Sequence, residues 1–204
     1  MKELQQALSE IHSIRTQVAH GTEFRGYGPA SIAASGILAL LVAAVQAQWM
    51  AKSAKADFTV WLGVWAGTAA VSVLLTGLET LVRARRVHLG FAREMVQAAV
   101  AQFLPAVMVG FLLAVVMIRV APEEGWMLPG LWELIFSLGV FASCRFLPRR
   151  MFAVGVWYLA AGLFCLAAGS ATRALSPWSM GIPFGVGQLL VAAVLQFRYG
   201  ELLE

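Results

Sequence analysis

Residues 151–171 read Met-Phe-Ala-Val-Gly-Val-Trp-Tyr-Leu-Ala-Ala-Gly-Leu-Phe-Cys-Leu-Ala-Ala-Gly-Ser-Ala, without a single charged side chain. A helix needs about 20 consecutive apolar residues to cross the hydrocarbon core of a bilayer, and this stretch is that long. Lipid offers backbone N–H and C=O groups no partner, so a crossing segment is either a helix or a strand of a closed barrel. Here the apolar residues run on continuously instead of alternating with period two, which selects the helix.

Five further stretches have the same character, at 29–50, 58–80, 97–118, 126–147 and 178–198. Hydrophobic residues make up 60% of the 204-residue chain and charged residues 13%, with a mean hydropathy of +0.76. A soluble domain is nearer half apolar and a quarter charged. The expected fold is therefore all-α: a polytopic membrane protein with six transmembrane helices and an N-terminal cytoplasmic amphipathic helix. Residues 1–25 make that helix and its linker, 26–200 the bundle, and 201–204 a short cytoplasmic tail.

Prolines punctuate the spans. Pro29, Pro129 and Pro177 fall at or near first helical turns, where a missing N–H costs nothing. Pro148 belongs to the tight turn between spans four and five, while Pro105 and Pro183 lie inside spans and are expected to kink them.

The basic residues set the orientation. With the N-terminus in the cytoplasm, eleven of the 15 Lys and Arg residues lie inside: Lys2, Arg15, Arg25, Arg83, Arg85, Arg86, Arg93, Arg145, Arg149, Arg150 and Arg198. Only Lys52, Lys55, Arg119 and Arg173 lie outside. Both termini are thus expected in the cytoplasm, and the short loops suit a bacterial inner membrane. The first span reads as an uncleaved signal-anchor, because the polar segment before it is longer than a signal peptide's. The formal charge of +4 does not point to nucleic acid, since the excess sits in juxtamembrane loops. Arg83, Arg85, Arg86, Arg149 and Arg150 there face anionic lipid head groups.

Leu4, Leu8, Ile11, Ile14 and Val18 recur at three- and four-residue spacing, which gives residues 1–20 one apolar helical face. The polar face carries Gln5, Gln6, Glu10, Ser13 and Gln17 and few basic residues, so it suits protein docking better than lipid binding. Its target is this chain's own loops, a second copy or another membrane subunit. The basic hairpin around 79–96 continues span two helically into the cytoplasm, with Glu79 and Arg83 one turn apart and Gly90 expected to break it. Small residues four apart recur as Ala30 with Ala34, Ser31 with Ser35, Gly63 with Gly67, and Gly181 with Gly185. Such pairs let helices approach closely in lipid, although an Ala- and Gly-rich chain also produces them by chance.

Intramembrane chemistry needs parts that are missing. The three histidines, His12, His20 and His88, lie outside the spans, which excludes a bis-histidine haem in the bilayer. No Lys lies in a span to form a Schiff base, and Asp57 is the only aspartate. Zinc and serine-hydrolase motifs are absent, so no enzyme, metal site or cofactor is expected. Cys144 and Cys165 lie at different depths, so they read as free, buried, small hydrophobes and not as a disulfide. Trp49, Trp61, Trp126 and Trp178 fall at the outer boundary and read as belt anchors.

One ionisable residue stands out. Glu133 is about seven residues into span four, roughly 10 Å below the outer surface at 1.5 Å per residue. Acids at such depth face a bundle interior or a water path. Arg119 and Gln46, near the outer ends of spans three and one, are its expected partners, and a hydrogen-bonded structural role is the alternative to a functional one. Two functions follow. The first is a non-enzymatic membrane subunit or homo-oligomer docking through its N-terminal helix. The second is a small proton- or cation-coupled transporter or channel using Glu133.

Overall fold

A computed structural model of the chain describes residues 29–52, 58–86, 89–144, 150–169 and 175–201. Every regular element among them is helical. The helices are α1 (Pro29–Lys52), α2 (Phe58–Arg86), α3 (Leu89–Arg119), α4 (Leu128–Ser143), α5 (Met151–Ala168) and α6 (Trp178–Glu201), with a 3₁₀ turn, Pro122–Met127, leading into α4. Five stretches are long and apolar enough to cross a membrane: Pro29–Lys52, Phe58–Glu79, Pro122–Ser143, Met151–Ala168 and Trp178–Gln196. A shorter apolar helix, Leu104–Arg119, lies within α3. The chain is a helical membrane protein.

The helices follow the apolar runs closely, with two local differences. The fourth apolar run opens at the end of the 3₁₀ turn Pro122–Met127, and α-helix takes over at Leu128 with Pro129 in its first turn. Gly90 lies in the first turn of α3, so the helix runs through it. Helix α3 therefore starts eight residues ahead of the expected span. Both Pro105 and Pro183 are carried inside continuous helices. The N-terminal amphipathic face, Leu4, Leu8, Ile11, Ile14 and Val18, lies outside the described residues.

Close packing comes from small residues. Helices α1 and α6 approach so tightly that a Cβ at Gly36 would stand 2.8 Å from the Gly185 carbonyl oxygen, while one at Gly181 would strike Ala43. Helices α4 and α5 meet through a reciprocal pair: a Cβ at Gly130 would lie 2.9 Å from the Gly162 carbonyl, and one at Gly162 would lie 2.8 Å from the Gly130 carbonyl. Dispersion between backbones at this range is what holds helices together where lipid is as apolar as the side chains. Helices α1, α4, α5 and α6 thus form the tight part of the bundle.

Helices α2 and α3 lean against one side of it. Trp61 and Trp65 of α2 are buried with Ala39, Ala43, Ala114, Leu128 and Met180, and Trp61 stacks on Phe58 and Trp132. Trp132 in turn donates its indole N–H to the Gly110 carbonyl of α3 at 2.9 Å. Trp61 is therefore a core residue and not a belt anchor: it is 1% exposed, whereas Trp49 and Trp178 are 50% and 43% exposed. At the other end of α2, the Glu79 carboxylate accepts the backbone N–H of Ser31 at 3.2 Å, one of the first-turn donors that α1 cannot satisfy itself.

Beyond these anchors α2 is bare. Val71, Val73, Leu74, Leu75 and Leu78 are exposed, as are Val107, Val109, Phe111 and Leu112 of α3. Thr68, Ser72 and Thr76 donate to carbonyls one turn back in their own helix, so these three hydroxyls are satisfied within α2. In water this apolar surface would drive aggregation; in a bilayer it is the lipid face.

Candidate functional site: an enclosed carboxyl between α4 and α5

The inward face of α4 carries Gly130, Glu133, Ser137 and Val140, spaced three and four apart. The facing side of α5 carries Met151, Val154, Gly155, Tyr158 and Gly162 at the same spacing, with Cys165 one turn further on. Because Gly130 and Gly162 bring the two backbones together, the side chain one turn past Gly130 is shut into the seam. That side chain is Glu133, which is 0% exposed.

Glu133 Oε1 lies 3.8 Å from the Cys165 Sγ. Its other oxygen, Oε2, is buried without a hydrogen-bond partner. The Cys165 thiol also lies 3.8 Å from the carbonyl oxygen of Ser179, in the first turn of α6. Pro183 is four residues on from Ser179 and has no N–H to close the helical bond to that carbonyl. Ser137, one turn below Glu133, turns its hydroxyl onto the Leu134 carbonyl at 2.7 Å and so makes no bond to the acid.

Tyr158 extends the polar row. Its ring packs on Phe136 and Phe184 at centroid distances of 4.6 and 5.3 Å, and its hydroxyl end abuts Gly187, where any Cβ would collide with it. The phenol lies within electrostatic reach of Glu133 and beside Gln188. The hydroxyl makes no well-formed hydrogen bond, since such bonds weaken steeply off-axis. Trp157, the preceding residue, donates its indole N–H to the Pro183 carbonyl at 2.9 Å and ties α5 to the proline turn of α6.

The expected partners of Glu133 sit elsewhere. Arg119 ends α3 as an exposed residue, and no ion pair or hydrogen bond joins it to Glu133. The reason is azimuth: Trp132, not Glu133, is the α4 residue that faces α3. Gln46 is buried, 5% exposed, with Oε1 unpartnered, one turn beyond the Ala43 that packs on Gly181. It too forms no hydrogen bond with Glu133. Among the head-group candidates, Arg150 is exposed at the start of α5, Arg83, Arg85 and Arg86 fall in the last turns of α2, and Arg149 lies outside the described residues.

Cys165 and Tyr158 are the two site residues that sequence reasoning missed. Cys165 read as a small hydrophobe; the only available signal was the helical register that places it one turn past Gly162. Cys144 fits the plain reading, with its thiol on its own helix's Val140 carbonyl at 3.3 Å, and both cysteines are free. Among the described residues no three His, Cys, Asp or Glu side chains gather to hold a metal ion. What the seam offers is a fully enclosed carboxyl, a thiol against one oxygen, and a second oxygen without a side-chain or backbone partner. Comparison with protein-family models, with curated proteins and with solved structures returns no match in any of the three.

Proposed function

We propose that the chain is a non-enzymatic membrane protein of the bacterial inner membrane that moves protons through Glu133. The observation that carries this reading is the complete enclosure of the Glu133 carboxyl, with Oε2 unpartnered and no cation beside it among the described residues. Charge on an acid at this depth costs about 3 kcal/mol or more, so the carboxyl holds a proton until a conformational change or entering water gives the charge a partner. Both termini are placed in the cytoplasm on the strength of the Lys and Arg asymmetry, with six crossings between them.

The test is proton flux into liposomes carrying the purified protein, read by an entrapped pH dye under an imposed potential. Wild-type protein is expected to conduct, and Glu133→Gln to lose most of the flux. Flux that is unaltered in Glu133→Gln, or no flux above empty liposomes in wild type, overturns the reading.

A second reading, a subunit that assembles with a partner or a second copy, is favoured by α2. Cβ atoms at Gly63, Gly67 and Gly77 would meet nothing within 4 Å, whereas Gly36, Gly130, Gly162, Gly181 and Gly185 are all consumed in helix contacts. Docking through residues 1–20 belongs to this reading. Native mass determination in mild detergent separates the two: a stoichiometric second chain supports assembly, and a monomer supports a self-contained proton device.

A further inference from the structure

The Cys165 thiol has one proton and two acceptors at the same distance, Glu133 Oε1 and the Ser179 carbonyl, each 3.8 Å away. A thiol donates one hydrogen bond at a time. Which acceptor it takes depends on charge, because a carboxylate is a markedly stronger acceptor than a neutral carboxyl or an amide carbonyl.

We propose that Cys165 is a positioning residue that reads the protonation state of Glu133 and passes it to α6. With Glu133 neutral, the thiol donates to Ser179 and ties α5 to the first turn of α6. When Glu133 ionises, its O–H bond breaks and the proton leaves to water. The S–H bond of Cys165 stays intact and turns to Oε1, so the tie to α6 is given up. This rests on Glu133 being a proton site.

The surroundings leave Cys165 as the group in position to respond. From α5 the titratable groups facing Glu133 are the Cys165 thiol and the Tyr158 phenol. From α6 the thiol meets the Ser179 carbonyl, and Gln188 stands beside Tyr158. From α3 the described side chains include one charge, Arg119, which is exposed and not joined to the acid; Glu123 and Glu124 of the 3₁₀ turn are exposed. Ionisation thus has no cation among the described side chains to answer it, and the thiol is the donor within reach. The consequence falls on a sensitive place, since the α6 turn released is the one whose Gly181 packs on Ala43 of α1.

The test is infrared spectroscopy of the full chain in lipid bilayers, titrated over pH. The band lost in Cys165→Ala identifies the Cys165 S–H stretch, while Cys144, bonded within its own helix, serves as an invariant reference. The protonated carboxyl band lost in Glu133→Gln identifies the acid. The expected result is that the Cys165 band moves to lower frequency with the same midpoint at which the carboxyl band disappears, and is pH-independent in Glu133→Gln. A carboxyl band that titrates while the S–H band stays fixed overturns the coupling and leaves Glu133 as a proton site. A carboxyl band that never titrates while the protein stays folded overturns both. Should Glu133→Gln fail to fold, the paired midpoints in wild type against Cys165→Ala carry the decision alone.

Discussion

A buried oxygen without a partner makes opposite demands on two neighbouring side chains in this seam. For Tyr158, an unanswered hydroxyl is a cost: removing it removes a desolvated group and leaves the ring's contacts with Phe136 and Phe184 in place. Tyr158→Phe is therefore expected to be neutral or stabilising by about 1 kcal/mol, against a loss of about 3–5 kcal/mol for Tyr158→Ala. Thermal or denaturant unfolding in bicelles checks this, and a Phe variant less stable than wild type by more than 1 kcal/mol would show that the hydroxyl is answered after all. For Glu133 the shape-preserving change is Glu133→Gln, expected to leave stability within about 1 kcal/mol while removing the titrating group. A loss of several kcal/mol with flux retained would make the residue structural. Glu133 itself was legible as a lone acid inside an apolar run. Its partner was not. Sequence places a residue along the membrane normal at 1.5 Å per step, so Arg119 and Glu133 could be matched in depth. It does not give the azimuth of either helix, and azimuth is what turned Glu133 toward Cys165 and left Arg119 at the rim.

At the scale of the helix, the glycines divide into two populations that composition cannot separate. Gly181 and Gly185 were visible as a small-residue pair four apart, and so were Gly63 and Gly67. Only the first pair lies in a helix contact, because α6 has α1 across from it and the outer face of α2 has nothing. The two are expected to respond with opposite sign. Gly185→Leu forces bulk against the Leu40 side chain and the Gly36 carbonyl and is expected to cost about 1–3 kcal/mol or more. Gly67→Ala adds a methyl to open space on a helix and is expected to gain roughly 0.5–1 kcal/mol, since glycine is the poorer helix former. Equilibrium unfolding of the two variants in the same bicelle decides it. A destabilised Gly67→Ala, together with a smaller native mass, would instead show that this face of α2 is covered by another chain. Among the described residues helix existence was legible, because each run of apolar residues is long. Helix use was not, because use is a relation between two elements.

For the molecule as a whole, the number of crossings fixes which side of the membrane the two ends share. Helices α2 and α3 contain 29 and 31 residues, which at 1.5 Å per residue is roughly 44 and 46 Å, well beyond a hydrocarbon core of about 30 Å. Both must therefore project from the bilayer, and their sequences say where: the surplus lies at the end of α2 with Arg83, Arg85 and Arg86 and at the start of α3 with Arg93. Within α3 the uncharged run 97–118 is 22 residues, about 33 Å, which is long enough for a hydrocarbon core of about 30 Å. Six crossings put both termini on one side, and five put them on opposite sides. The expected outcome is that a reporter active only in the cytoplasm works at either terminus, while the same reporter inserted at 53–57 or at 170–174 is silent. Termini on opposite sides would mean that one of the six helices does not cross. Were that helix α3, the seam between α4 and α5 would survive, because its packing does not involve α3. The direction from which a proton reaches Glu133 would then have to be assigned afresh.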